Sequence, residues 1–208
     1  MARSPDPLAP PQAPAPSRPE STAIVDALVA AALELGPDAS VNAIAERAGV
    51  GVASLYRYFP SKASILAELA RRAQHDALTR IQEVLAANPT PRQALVACCE
   101  IAVRPPGLSP AMRRALNLNV PASWSHASAR ATTAALVAAV ASWLAARTSI
   151  PPDRLERSVA AAFAAARGLV LLAVTQPELA PADDELRAIM ERVVLACLDL
   201  EEDLGPAP

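Results

Sequence analysis

The chain has 208 residues, which suits one ordinary domain or two small ones. Hydrophobic types make up 52%, but 49 residues are alanine, so the apolar content favours helix over sheet and argues against wholesale disorder. The net charge of −2 excludes a global basic field, so any affinity for nucleic acid must rest on where charge is placed.

Three cysteines, Cys98, Cys99 and Cys197, form no disulfide framework, and a reducing cytoplasm is the simplest compartment. The start leads into proline and not into an apolar run, so no secretory signal is expected. The uncharged stretch from Ala131 to Ala146 is 16 residues long. It falls short of the ~20 residues of a membrane span and reads as a buried helix. No nucleophile elbow, phosphate loop or HExxH motif is present, and His75 and His126 stand far apart. Neither an enzyme nor a metal or cofactor protein is expected.

In chain order, residues 1–19 hold seven prolines and read as a disordered tail carrying Arg3 and Arg18. From Glu20, apolar residues at Ile24, Leu28, Ala31 or Ala32, and Leu35 predict a helix that stops at Gly36-Pro37. Ser40 caps a short helix with Val41, Ile44, Ala45 and Ala48 on its inner stripe, ended by Gly49. A third helix runs from Val52 to Phe59. After Pro60, Ser61 caps a fourth from Lys62 to about Ala87. Further helices are predicted at 91–104, 110–118, 125–147, 152–175 and 183–202, about nine in all. Prolines mark nearly every break, as in a helical bundle, and the polar end from Glu201 should fray. The expected organisation is a tail (1–19), a helix-turn-helix domain (20–65) and a helical bundle (66–208).

The segment from Ser40 to Lys62, SVNAIAERAGVGVASLYRYFPSK, carries the chemistry. Ala45 permits a tight helix crossing, Gly49 tolerates the positive φ of the turn, and Leu55 plugs the angle. Both tyrosines, one phenylalanine and the only lysine fall between Tyr56 and Lys62, and no acid occurs from Ala48 to Ala67. Arg47, Arg57 and Lys62 are positive, while Glu20, Asp26, Glu34 and Asp38 lie upstream. Leu55 and Phe59 share a core face at i, i+4. Val52, Ala53, Ser54 and Arg57 are left near the other, able to enter a major groove. Arg57 suits guanine edges, and Ser54 suits either a base or a phosphate. The hydroxyls of Tyr56 and Tyr58 suit phosphate oxygens, as does Lys62 at a helix start.

LYRYFPSK, with the preceding IAERAGV, resembles the N-terminal DNA-binding domain of TetR-family transcriptional regulators over about Glu20 to Leu69. The all-helical remainder has the length such proteins have. The resemblance implies an obligate homodimer, a recognition helix at about Val52–Tyr58 and a C-terminal pocket for a small molecule. It also implies phosphate contacts from Ser40, Tyr56, Tyr58 and Lys62. Gly51, Ala53 and Ala63 depart from residues common in the family, and Ala53 with Ser54 bears on operator choice.

Beyond the motif the residues speak for themselves. Ala160, Ala164 and Gly168 recur at i+4 and let another helix approach. With Leu171 and, on the last helix, Ile189, Val193 and Cys197, they form the expected dimer interface. Candidates for a ligand pocket are Cys98, Met112, Trp124, His126, Thr133, Phe163 and Arg167, with His75, Cys99 and Thr132 as further members. Arg167 suits either an interface ion pair or an anion anchor. The expected function is a ligand-responsive transcriptional regulator, a repressor acting as a homodimer on a pseudo-palindromic DNA operator, without membrane attachment. A helical protein-interaction module without DNA binding, or an activator of the same fold, are the alternatives.

Overall fold

The computed structural model describes residues 19–198, apart from the side chains at positions 19, 20, 122, 123 and 125–129. The tail through residue 18, the His126 side chain and the polar end from Glu201 lie outside the described residues. Among those described, the chain is all helical, with no strand. The helices are α1 (Pro19–Leu35), α2 (Val41–Arg47), α3 (Val52–Tyr58), α4 (Lys62–Ala86), α5 (Pro91–Val103), α6 (Pro110–Leu118), α7 (Ala122–Ala145), α8 (Pro152–Thr175) and α9 (Asp183–Leu198).

The prolines that punctuate the sequence are starts as well as stops. Pro91, Pro110 and Pro152 occupy the first turn of α5, α6 and α8. A helix needs no amide hydrogen there, and the fixed φ of proline already matches it. Thr90 and Ser109 cap two of these helices by accepting from the amides of Gln93 and Met112. The same reason makes Pro19 the first residue of α1 and not the last of the tail.

The chain forms two compact units. The first runs through Ala73 and includes Leu108–Ala129. Its core joins Leu28, Ile44, Leu55 and Phe59 to Ile65, Leu66 and Leu69 of α4 and to Met112, Leu116 and Val120. This unit reaches beyond the sequence-based division after residue 65, because α4 and α6 each contribute an apolar stripe to the same core. The second unit comprises Gln74–Gly107 and the residues from Arg130 on. In its core, Leu95, Cys99 and Val103 of α5 meet Val137 and Leu144 of α7, Leu155 and Val159 of α8, and Leu186, Met190 and Val194 of α9. A satellite cluster gathers Ile81, Leu85, Ala94 and Leu136, with Cys98, Trp143 and Phe163 packed against it. The Trp143 indole N–H donates to the Leu85 carbonyl at 3.0 Å, and the Arg147 guanidinium lies over the Trp143 ring.

Helix α8 is long and apolar enough to cross a membrane by length and composition, a test that a core helix of a water-exposed protein also passes. Its Leu155, Val159 and Ala162 are committed to the second core.

The turn after α2 is built by hydrogen bonds that glycine makes possible. The Val50 amide donates to the Ala45 carbonyl at 2.9 Å, and the Gly49 amide to that of Glu46 at 3.0 Å. This is the paired closure of a helix ending in a left-handed residue, and Gly49 sits there at φ 66°. Val50 packs back on the core beside Ala45. Ser61 and Ser64 cap α4 reciprocally: each hydroxyl accepts from the other's amide at 3.2 Å.

Charged pairs tie α1 to α4. Arg72 bridges Asp26 at 2.7 Å and Glu68 at 2.8 Å, and Arg71 also meets Glu68 at 2.7 Å. Burial opposes ionisation of Glu68. Hydrogen bonds and charge from Arg71 and Arg72 outweigh it and hold the carboxyl below its ordinary range.

Two outcomes follow from these contacts. An added methyl at position 49 meets nothing within 4 Å, so Gly49→Ala carries backbone strain alone. It should cost about 1–2 kcal/mol in urea unfolding, and an unshifted midpoint would show that the turn has no such strain. A carboxyl with a lowered folded pKa stabilises above its unfolded value, and loses that stability as pH falls through the folded one. Glu68→Gln should therefore flatten the acid side of the stability–pH profile, measured by unfolding between pH 7 and 3. A profile parallel to the wild type would contradict the role given to Arg71 and Arg72.

Candidate nucleic-acid interface

Helix α3 sorts its residues by the helical period. Leu55 and Phe59 are buried, as their i, i+4 spacing predicts. Tyr58 joins them at 7% exposure, whereas Tyr56 is 50% exposed. Position 58 lies only about 60° around the helix from position 55, so its ring turns toward the same core. The two tyrosines are thus not equivalent: Tyr56 stands on the surface, and Tyr58 packs inward with the Arg57 guanidinium 5.2 Å from its ring centre.

Two outward rows remain, Val52 with Tyr56 and Ala53 with Arg57, and Ser54 is half-buried beside them. The rows are short, and their apolar members are small, which lets a helix surface approach base edges closely. Gly51 precedes them as the N-cap with no side-chain bond. On α2, the exposed Ser40 hydroxyl accepts from the Ala43 amide at 3.1 Å. Its proton stays available to an outside acceptor such as a phosphate oxygen. Lys62 is half-buried at the first position of α4.

Arg47 is placed differently from the other candidate cations. Its Nε and Nη2 donate to Oε1 of Glu34 at 3.0 and 2.7 Å, and Nη2 lies 2.6 Å from Oε2. In the sequence, Glu34 is only one of several upstream acids. The partners are 13 positions apart on different helices, and nothing along the chain pairs them. The available signal was an acid in the last turn of α1, where no basic residue stands.

The ligand-pocket candidates divide between the units. Met112 is fully buried in the first core, and Trp124 belongs to that unit. Cys98 and Phe163 pack together in the satellite cluster of the second unit. Thr133 is half-buried and Arg167 exposed in that unit. A groove of about 550 Å³ in the second unit is lined by Arg80, Glu83, Val84, Ala97, Glu100 and Ile101, among others, and by none of these candidates. Burial pushes the Cys98 thiol up to about 11 and the Cys99 thiol up to about 12. Both stay protonated near neutral pH and are poor nucleophiles there.

Of the interface candidates, Ala160, Ala164, Gly168 and Leu171 line the exposed side of α8, with Arg167 among them. Ile189, Val193 and Cys197 of α9 are half-buried.

Comparison with known proteins bears on the same segment. Residues 24–69 match the family described as bacterial regulatory proteins, tetR family. No curated protein sequence matches the chain. Among solved structures, the fold is similar to a TetR-family transcriptional regulator from Streptomyces coelicolor at 21% identity and a TM-score of 0.62, covering 87% of this chain and 85% of that one. It is similar to a TetR transcriptional regulator from Rhodococcus sp. RHA1 at 18% identity and a TM-score of 0.56, covering 86% and 97%. It is also similar to the transcriptional regulator FadR from Bacillus subtilis, solved in complex with stearoyl-CoA, at 17% identity and a TM-score of 0.55, covering 85% and 97%. The glycine turn and the outward rows of α3 thus lie within the segment that matches the tetR-family model, and the chain shares its fold with solved TetR-family transcriptional regulators.

Proposed function

We propose that this regulator is a repressor that binds a pseudo-palindromic operator as a homodimer and releases it when a small molecule binds its second unit. The observation that carries the reading is the exposed pair Tyr56 and Arg57 on α3, in a segment that matches the family's DNA-binding domain. Arg57 would read base edges, while Tyr56, Ser40 and Lys62 would fix orientation on phosphates. Val52, Ala53 and Ser54 would shape the fit to the groove. Tyr58 would act mainly by holding α3 against the core.

Dimerisation is supported by α8. Only 17% of its most apolar window is buried within the chain, and its exposed side carries Ala160, Ala164 and Gly168. An apolar surface that large favours burial against a second copy. Ligand responsiveness is supported by the similarity to FadR, whose structure holds stearoyl-CoA. Of the candidates, Cys98, Thr133, Phe163 and Arg167 belong to that unit and stay available to contact an effector, whereas Met112 is committed to the first core. The effector would act by its differential affinity for two states of the dimer. The three free thiols agree with a reducing cytoplasm. No group of three or more metal-binding side chains gathers among the described residues.

An electrophoretic shift with the DNA flanking the gene tests the operator. Binding that is salt-sensitive and resists competitor DNA is expected, and its absence would sink the operator. Tyr56→Phe should weaken binding about tenfold across sequences, the loss of one hydrogen bond to a charged oxygen, and Lys62→Ala should also weaken it uniformly. Arg57→Ala should relax specificity at one or two base pairs. Gly168→Ile should turn the dimer into a monomer by sedimentation, and a dimer of unchanged stability would place the interface elsewhere.

A further inference from the structure

We propose that Glu34 holds Arg47 off the DNA backbone, and so lowers the sequence-independent part of this regulator's affinity. The proposal rests on the DNA-binding reading above and adds a specificity-determining residue on α1, outside the two helices α2 and α3 that form the turn motif.

The geometry is that of a closed fork. Two guanidinium nitrogens of Arg47 engage Glu34, and both carboxylate oxygens lie within ion-pair distance of Nη2. Glu34 lies in the last turn of α1, where the helix carbonyls are already negative and no basic residue stands. Arg47 is the last residue of α2, at the negative end of a second helix dipole. A guanidinium there compensates two helix ends and a carboxylate together. A phosphate taking the place of Glu34 would sit beside both helix ends and a displaced carboxylate, all of its own sign. Glu46, next to Arg47 in the chain, adds a further negative charge.

The exposure of the pair sets the size of the effect. The side chains are 53% and 56% exposed, so the bridge is an ordinary surface ion pair. Its removal is worth up to about fivefold in affinity per subunit. A change of that size is small for a specific operator. It matters against bulk DNA, where each phosphate contact counts and no base contact competes.

The test measures binding of the full chain to a random-sequence duplex across a salt series, with wild type, Glu34→Gln, Arg47→Ala, the double variant, and Lys62→Ala as control. Lys62→Ala should flatten the salt slope, because a phosphate contact is lost. Arg47→Ala alone should leave the slope unchanged. Glu34→Gln should tighten binding up to about fivefold per subunit at low salt. It should also steepen the slope by about 0.9 per subunit, the signature of one new phosphate contact. The double variant should return to the wild-type slope, which separates a freed Arg47 from the mere loss of a negative charge. Glu34→Ala should reproduce Glu34→Gln by the same route. A slope flattened by Arg47→Ala as much as by Lys62→Ala, or unmoved by Glu34→Gln, overturns the proposal. Absence of salt-dependent binding in the wild type overturns the DNA-binding reading itself, and this proposal with it.

Discussion

The left-handed residue at Gly49 governs much of the first unit. It lets α2 close its last turn with two hydrogen bonds and sends the chain back toward the core through Val50. The direction of α3 follows from that reversal. Once α3 runs that way, the helical period decides which side chains face inward, and Leu55, Tyr58 and Phe59 are taken by the core. What is left outside is the candidate interface, Val52, Ala53, Tyr56 and Arg57. The surface proposed to meet DNA is thus a remainder, defined by which residues the turn and the core have used.

The same logic reconciles the proposed binding of a polyanion with a net charge of −2. Several of the protein's acids are occupied by its own arginines. In the first unit, Asp26 and Glu68 meet Arg72, and Glu34 meets Arg47. In the second, Glu100, Asp183 and Asp184 meet Arg104. Pairing of this kind stabilises exposed helices only slightly, but it removes negative charge from the outward field. Arg57 and Lys62 lie on an acid-free stretch of chain, so their charge is not cancelled by sequence neighbours.

Much of this was legible in the amino-acid order. Helix positions followed from apolar spacing and from prolines, because proline acts locally and the same way in any context. The Ser40 cap, the glycine turn and the buried Leu55 and Phe59 are also short-range features. The inward turn of Tyr58 was not read, because an amphipathic ring satisfies a surface and a core equally well in one dimension. The Arg47–Glu34 pair and the entry of α6 into the first core depend on contacts between separate helices. Met112 reads as a pocket residue or a core residue with equal ease, and packing alone decides. An effector site escapes for a further reason: alanine lines many surfaces of this chain and carries no chemistry to mark a ligand.

The distribution of the two tryptophans has a practical side. Trp124 belongs to the first unit and Trp143 to the second. Trp143 donates to a main-chain carbonyl at the end of α4 and carries a guanidinium against its ring, so its emission is sensitive to fraying at that helix end. With one indole replaced by phenylalanine at a time, intrinsic fluorescence reports on each unit separately, without an added dye. The order in which the two units loosen, with heat or with a bound molecule, is written into the protein's own spectrum.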